Sequence, residues 1–423
     1  MAYQSSKFTC VRDDLTIRGF EYLPKIKNLK GKKFPAIIIS HGFMSNHQET
    51  DLYGRYFAGK GYAAYTFDFN GGGPKSSSDG ATEEMSIKTE IEDLKAVVSS
   101  VEVLPYINSN KIILMGLSQG GFVSALTAGQ IPEKIAKLIL MYPAISMADD
   151  ARIGKMQHAE FDPADPPETI MHGKMKLGKI YPLDAQSLHE FEGLVPFKGP
   201  VLIIHGTADP IVNVAYSKQA WKTYTTGVIP ARVEREPLGS ADDIPFLPRL
   251  PEGMSPRPGR QLMLISGGGH GFLLDRKNHK KTLFAIGEFL KGYTEVLTID
   301  VRLTGRIRET KGLHTHCEYP FTGTADSPWF RGTVQEGAKD VQELTWLYAA
   351  SKCADYTIVG EDYTGSPCQV HVINRGSGSI WKPTVETDSE ALAFVNGADC
   401  DALLEDRKCG PLVRIYAHVK LKH

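Results

Sequence analysis

The feature that most narrows what this chain can fold into is a strand that runs straight into a serine held between glycines. Lys111-Ile-Ile-Leu-Met115 is followed at once by Gly116-Leu-Ser118-Gln119-Gly120-Gly121, and then by a helical pattern over Gln119–Ala128. A short, continuous apolar run suits a strand covered on both faces. Glycines two residues before and two after Ser118 permit the sharp strand-to-helix turn of G-x-S-x-G, which lifts the hydroxyl clear of the backbone. The helix N-terminus behind it favours developing negative charge. Strand, elbow and helix in this order predict a parallel sheet flanked by helices.

The first ~290 residues repeat that rhythm of short apolar runs and helical patterns. Strands are expected at Leu15–Leu23, Ala36–Ser40, Ala63–Phe69, Lys111–Met115, Leu138–Met141, Val201–His205 and Gln261–Ile265. Helices are expected at Thr50–Gly59, Glu83–Val103, Gln119–Ala128, Val214–Tyr224 and Asn278–Lys291. Two segments break the pattern. Ala144–Lys198 is too long and irregular for a simple crossover and reads as a small cap over the sheet's carboxyl edge, where open α/β sheets bind ligands. Pro237–Pro258 holds six prolines in twenty-two residues and reads as an extended surface excursion.

Past about Tyr293 the character changes. TEVLTIDVRLTGRI, PWFRGTV, CQVHVINRG and PLVRIYAHVKL are strand-like, separated by turns rich in Gly, Asp, Ser and Pro, with one helical pattern at Asp388–Asn396. A mainly antiparallel β domain, barrel or sandwich, is expected there. The expected division is therefore 1–292, an α/β catalytic domain, and 293–423, a β accessory domain. The length of 423 residues fits two domains.

A serine hydroxyl needs a base before it can act as a nucleophile. In this kind of sheet the partners follow in the order acid then histidine, each on a loop after a strand. Val201-Leu-Ile-Ile-His205-Gly-Thr-Ala-Asp209 places Asp209 just past one strand, and Gln261-Leu-Met-Leu-Ile-Ser-Gly-Gly-Gly-His270 places His270 just past the next. Parallel strands share a carboxyl end, so both belong on the same edge as Ser118. The expected roles are Ser118 as nucleophile, His270 as general base and Asp209 as its orienting acid. Asp68, Asp149 and Asp150 lack that local context. Pro35-Ala-Ile-Ile-Ile-Ser40-His41-Gly42-Phe43 supplies an early strand and loop. An oxyanion hole then falls on the backbone N–H groups of Phe43 and Gln119, with His41 fixing the loop.

Composition excludes several classes. A formal net charge of −1 and a pI near 6.9 give no electrostatic case for nucleic acid or an anionic membrane. No apolar run approaches the ~20 residues of a membrane span. The start of the sequence, MAYQSSKFTCVRDDLTIRGF, lacks a secretory pattern, so a cytoplasmic address is expected. None of the six cysteines forms a CxxC pair, and free thiols are the expectation. His314-Thr-His316-Cys317 has no matching distant ligands, so no metal is expected, and nothing calls for a cofactor.

The motifs HGFMSN, FDFNGGG, GLSQGG, HGTADPIV and GGGHGF together resemble the cinnamoyl (feruloyl) esterase branch of the α/β-hydrolases, over about residues 8–292. The stretch from Phe161 to Gln186 is similar to that branch's cap. The resemblance implies hydrolysis of hydroxycinnamate esters through an acyl-enzyme, with Asp150, Gln157 and Tyr181 around the phenolic ring. The proline-rich excursion and the C-terminal domain lie outside that branch's pattern. The latter resembles a family of small β-barrel domains of unknown function. Binding, homo-oligomerisation or lid support are the roles open to it. The expected partner is a small aromatic ester. A general carboxylesterase, a thioesterase and a carbon–carbon bond hydrolase use the same triad and stay open, as does a protein whose C-terminal domain makes it chiefly a binding module.

Overall fold

The computed structural model describes residues 2–25, 31–156, 159–240, 242–272, 275–345, 349–377 and 380–419; Gln157 lies outside the described residues. The chain forms two compact units, Met1–Gly239 with Gly268–Gly271, and Ser240–Gly267 with Phe272–His423.

In the first unit, strands β1 (Tyr3–Arg12), β2 (Leu15–Pro24), β3 (Phe34–Ser40), β4 (Ala63–Phe67), β5 (Ile107–Leu117) and β6 (Lys137–Met141) precede the cap. The cap carries the hairpins β7 (Lys155–Met156) with β8 (Ala159–Glu160), and β9 (Thr169–His172) with β10 (Met175–Gly178). Strand β11 (Val201–Gly206) returns to the sheet, whose order is β1-β2-β4-β3-β5-β6-β11. From β4 through β11 every pairing is parallel, whereas β1 and β2 run antiparallel at the edge. Residues Ala36 to Ile39 of β3 are fully buried, as expected of a strand covered on both faces. Strand β1 escaped the sequence reading because YQSSKFTCVR is largely exposed and polar, and an edge strand has little to bury.

Helices α1 (His47–Gly59), α2 (Ile87–Glu102), α3 (Gln119–Gln130) and α6 (Val214–Thr226) flank the sheet, while α4 (Met147–Arg152) and α5 (Ile180–Gln186) belong to the cap. Their starts are chemically marked. Asn46 and Asn213 cap α1 and α6, and Ser86 with Thr89 forms a reciprocal capping box on α2. Gly227 ends α6 with φ 78°, a left-handed conformation open to glycine at little cost.

The second unit contains β12 (Arg260–Ile265), α7 (Arg276–Lys291) and an antiparallel sheet. That sheet is built from β13 (Tyr293–Leu303), β14 (Ile307–Lys311), β15 (His314–Asp326), β16 (Phe330–Val334), β17 (Lys339–Thr345), β18 (Ala349–Asp362), β19 (Pro367–Ser377), β20 (Ile380–Thr387), β21 (Cys400–Glu405) and β22 (Leu412–His418). Its path runs β20-β19-β18-β16-β15-β13-β22-β21, with β14 on β15 and β17 bridging β15 and β18. Lys382 of β20 reaches Asp401 of β21 at 2.6 Å, so the two ends of the path meet and the sheet curls into a barrel. Inward positions such as Ile299, Ile358, Val372 and Ile415 form its core.

One expectation needs correction here. The helical pattern at Asp388–Asn396 yields only a 3₁₀ turn at Ala393–Val395. Ser389 is drawn away to Asp362 Oδ2 at 2.6 Å, and Asn396 closes onto Thr387, so local side-chain bonds outcompete the helix. The change from helical to strand periodicity does fall at Gly292–Tyr293, but compactness divides the chain elsewhere. Strand β12 and helix α7 group with the barrel, because Gln261 Nε2 donates to Tyr293 O at 2.8 Å and the rings of Phe284 and Tyr416 meet edge-on at 5.7 Å.

Arg414 joins these parts. It is fully buried on β22, with Nε on Glu405 Oε1 and Nη1 on Glu295 Oε1, both at 2.8 Å, and Nη2 on Leu264 O at 2.9 Å. Burial disfavours its charge, but the two carboxylates prevail and hold its pKa above the ordinary value. Removing one member of a buried ionic network costs about 3–5 kcal/mol, because the partners are left charged and dry. Arg414→Met should therefore lower the stability of the second unit by that amount, read as a shifted urea midpoint at unchanged slope. A chain cut after residue 295 strips β12 and α7 of these partners and should be insoluble. A monodisperse, folded 1–295 fragment would contradict the grouping.

Candidate active site

Ser118 sits between β5 and α3 with φ 51° and ψ −117°, a backbone conformation that strains a non-glycine residue. The flanking glycines are sterically required. A Cβ on Gly116 would lie 2.1 Å from Gly120 O, and one on Gly120 would lie 2.2 Å from His41 O. The turn is pinned by Ser118 N donating to Met141 O at 2.9 Å and by its carbonyl accepting from Gly121, Phe122 and Ala144.

His270 Nε2 lies 2.9 Å from Ser118 Oγ, and His270 Nδ1 lies 2.7 Å from Asp209 Oδ2. The structure thus brings together the three residues singled out from spacing. Asp209 is buried, and its Oδ1 accepts from the backbone N–H groups of Ile211 at 2.9 Å and Val212 at 3.0 Å. Burial alone would raise its pKa, but hydrogen bonds from His205 and His270 outweigh that and hold it well below the usual carboxylate range.

Sequence reasoning missed His205. Its Nε2 faces Asp209 Oδ2 at 3.1 Å and Val212 O at 3.0 Å, both acceptors, so Nε2 carries a proton. Nδ1 meets Ser217 Oγ at 2.6 Å. A second imidazole therefore holds Asp209 from behind, and its place in His205-Gly-Thr-Ala-Asp209, four residues before the acid, was the available signal. Tyr142 was missed as well. It adopts φ 38° just after β6 and sets its ring edge-on to the His270 imidazole at 4.7 Å between centroids.

The loop after β3 approaches Ser118 closely, since a Cβ on Gly42 would lie 3.4 Å from Ser118 Cβ. Gly42 N donates to Glu49 Oε2 at 2.9 Å, which ties the loop to α1. His41 is buried, with Nδ1 at 2.7 Å from Gly42 O and Nε2 accepting from Phe69 N at 3.2 Å. Burial lowers its pKa and the bonding pattern is that of the neutral ring, so His41 serves to fix the loop. Phe43 follows, its ring 5.6 Å from that of Tyr181. Gln119 begins α3, where a backbone N–H has no partner within the helix. Both proposed oxyanion donors therefore stand on elements that meet at Ser118.

Of the residues implied for the phenolic ring, Asp150 lies on α4. One carboxylate oxygen accepts from Ser146 Oγ at 2.9 Å and the other is paired with Arg235. Tyr181 lies on α5. It is 1% exposed and its hydroxyl donates to Gln119 Oε1 at 2.7 Å, which supports the elbow. Gln119 Nε2 in turn donates to Glu90 Oε2 at 2.8 Å.

The serine aminopeptidase, S33 family (Hydrolase_4) matches residues 31–163. Est1E from Butyrivibrio proteoclasticus with ferulic acid bound is similar at 23% identity and a TM-score of 0.54, covering 67% of this chain and 98% of Est1E. A second Est1E structure gives 21% identity and a TM-score of 0.52, with 67% and 97% covered. The part of the chain that these structures cover has the α/β-hydrolase fold. In the α/β-hydrolase arrangement Ser118, Asp209 and His270 all follow strands, as the motif order implied. No curated protein matches the chain.

Glu90 gives this site a pH signature. It is buried beneath Gln119, and desolvation pushes its carboxyl up to about 8. An acid whose folded pKa is raised destabilises the fold as pH climbs from the unfolded value, about 4.3, toward the folded one. Glu90→Gln keeps a neutral acceptor for Gln119 and removes the titration. The variant should melt higher than the wild type at pH 8, and the gap should close at pH 4.5. Equal gaps at both pH values in thermal scans would show that Glu90 is not buried as a neutral acid.

Proposed function

We propose that this chain is a serine carboxylic ester hydrolase that works through an acyl-enzyme on aromatic esters of the hydroxycinnamate type. The observation that carries the ester chemistry is the continuous line of hydrogen-bonding groups from Ser118 Oγ through His270 to Asp209 Oδ2. His270 Nε2 takes the hydroxyl proton as Ser118 Oγ attacks the carbonyl carbon. The carbonyl oxygen gains negative charge and is met by the backbone N–H groups of Phe43 and Gln119. His270 then hands its proton to the leaving alkoxide, and the acyl group stays on Ser118. A water deprotonated by His270 releases the acid and restores the serine. Asp209, held ionised by its hydrogen bonds, keeps Nδ1 protonated and stabilises the imidazolium.

The acyl group rests on separate support. The cap motifs resemble those of the cinnamoyl esterase branch, and Est1E, which shares the fold, has been solved with ferulic acid bound. Asp150 on the cap helix supplies a carboxylate suited to a phenolic hydroxyl, with Arg235 and Ser146 holding it.

Ser118→Ala removes one oxygen atom from the elbow and should lower kcat by about 10⁴-fold or more while leaving the melting temperature unchanged. Substantial turnover by the pure variant would sink the nucleophile assignment. Across methyl ferulate, methyl caffeate, p-nitrophenyl acetate and an acyl-CoA ester, kcat/KM should be highest for the hydroxycinnamates. A preference for the thioester would redirect the acyl assignment and leave Ser118 in place.

A further inference from the structure

Strand alternation in the barrel sends every second residue inward, and along most of its length those residues are apolar. Near one end the inward positions change character. Strands β17, β18 and β19 place Asp340, Ala354 and Asn374 directly opposite one another in register. The next row holds Gln342, Lys352 and Gly376, and β20 adds Trp381 opposite Gly376. A Cβ on Gly376 would meet the indole at 2.4 Å, so glycine is what allows Trp381 to lie across that row.

These rows border a cavity of about 590 Å³ within the second unit, whose walls include Phe321, Tyr356, Trp381, Lys352, Asp340 and Asn374. The size falls in the range of small-molecule sites, and so does the composition, aromatic walls with a few polar groups. Phe321 and Tyr356 meet edge-on at 5.2 Å, and Lys352 Nζ stands 5.7 Å from the Trp381 ring centroid.

The polar groups point to an occupant. Asn374 is only 3% exposed, yet its Oδ1 has no hydrogen-bond partner. Asp340 spends Oδ2 on Gln342 Nε2 at 2.6 Å, and its buried Oδ1 also has none. A buried acceptor left unpaired is costly, and here two share one row with only the small Ala354 between them. Both are acceptors, so the missing partner is a donor, and the surrounding rings call for a flat apolar body.

We propose that the barrel holds a second ligand site, for a phenolic small molecule whose ring lies among Phe321, Tyr356 and Trp381 and whose hydroxyl donates to Asn374 Oδ1. This site is independent of the chemistry assigned to Ser118, since every residue in it belongs to the second unit.

Equilibrium dialysis of the full chain against ferulic acid counts sites per chain, whatever binds near Ser118. Asn374→Leu removes the acceptor, and Ala354→Met fills the space between the two acceptors. Each folded variant, checked by circular dichroism and unchanged turnover of p-nitrophenyl acetate, should bind one molecule fewer than the wild type. In the wild type, 3,4-dimethoxycinnamic acid, which lacks the phenolic donor, should leave that same site empty. An equal count in the wild type and either variant, including none in both, would overturn the site. Equal occupancy by the dimethoxy compound would overturn its dependence on a phenol.

Discussion

The carboxylate of Asp209 is the point on which the candidate site depends. Two backbone N–H groups, His205 and His270 converge on its two oxygens. A buried carboxylate with fewer donors would be driven toward its neutral form. Here the donors reverse that tendency, and the ionised group can then fix which nitrogen of His270 faces Ser118. The hydrogen bond to Ser118 Oγ exists because the far side of the ring is already committed. His205, itself anchored by Ser217, keeps Asp209 from turning away.

A second constraint is close backbone approach. Residues 116–121 can turn only where side chains are absent, since Gly120 lies against His41 O and Gly116 against Gly120 O. That contact brings the β3 loop to the elbow, so the same glycines that let residues 116–121 turn also bring Gly42 beside Ser118. The supports then run outward through polar pairs, His41 to Phe69, Gly42 to Glu49, and Gln119 to both Tyr181 and Glu90. Each fixes one backbone donor or one side of the turn.

Much of this was legible in the sequence because it is local. Strands β3 to β6, β11 and β12 carry apolar runs, and the elbow and the loops bearing Asp209 and His270 are defined by their immediate neighbours. What was not legible depends on distant partners or on exposure. Polar β1 gives no alternation because little of it is buried. Glu90 looks like any helical glutamate, and only the fold places it under Gln119. Tyr181 had a role by resemblance, but its hydroxyl is directed by a residue 62 positions away. The boundary at 292 was a real change of periodicity, yet periodicity records local structure and not packing. Arg414, 150 residues beyond Leu264, groups β12 with the barrel.

The two kinds of buried polar residue in the second unit bear on each other. Arg414 shows that this barrel can bury a full charge and still satisfy it, since all three guanidinium nitrogens find acceptors. Asn374 is nearly as buried and carries no charge, so its needs are easier to meet, yet its Oδ1 stays unpaired. An isosteric leucine would remove the unpaired acceptor and lengthen the apolar run Val370, Val372 on the same face of β19. Arg414 and its carboxylates satisfy one another, whereas the unpaired acceptor argues against an amide at 374 on stability grounds. The amide is explained once a donor from outside the chain completes it. The open volume beside it and the aromatic walls then have the same explanation.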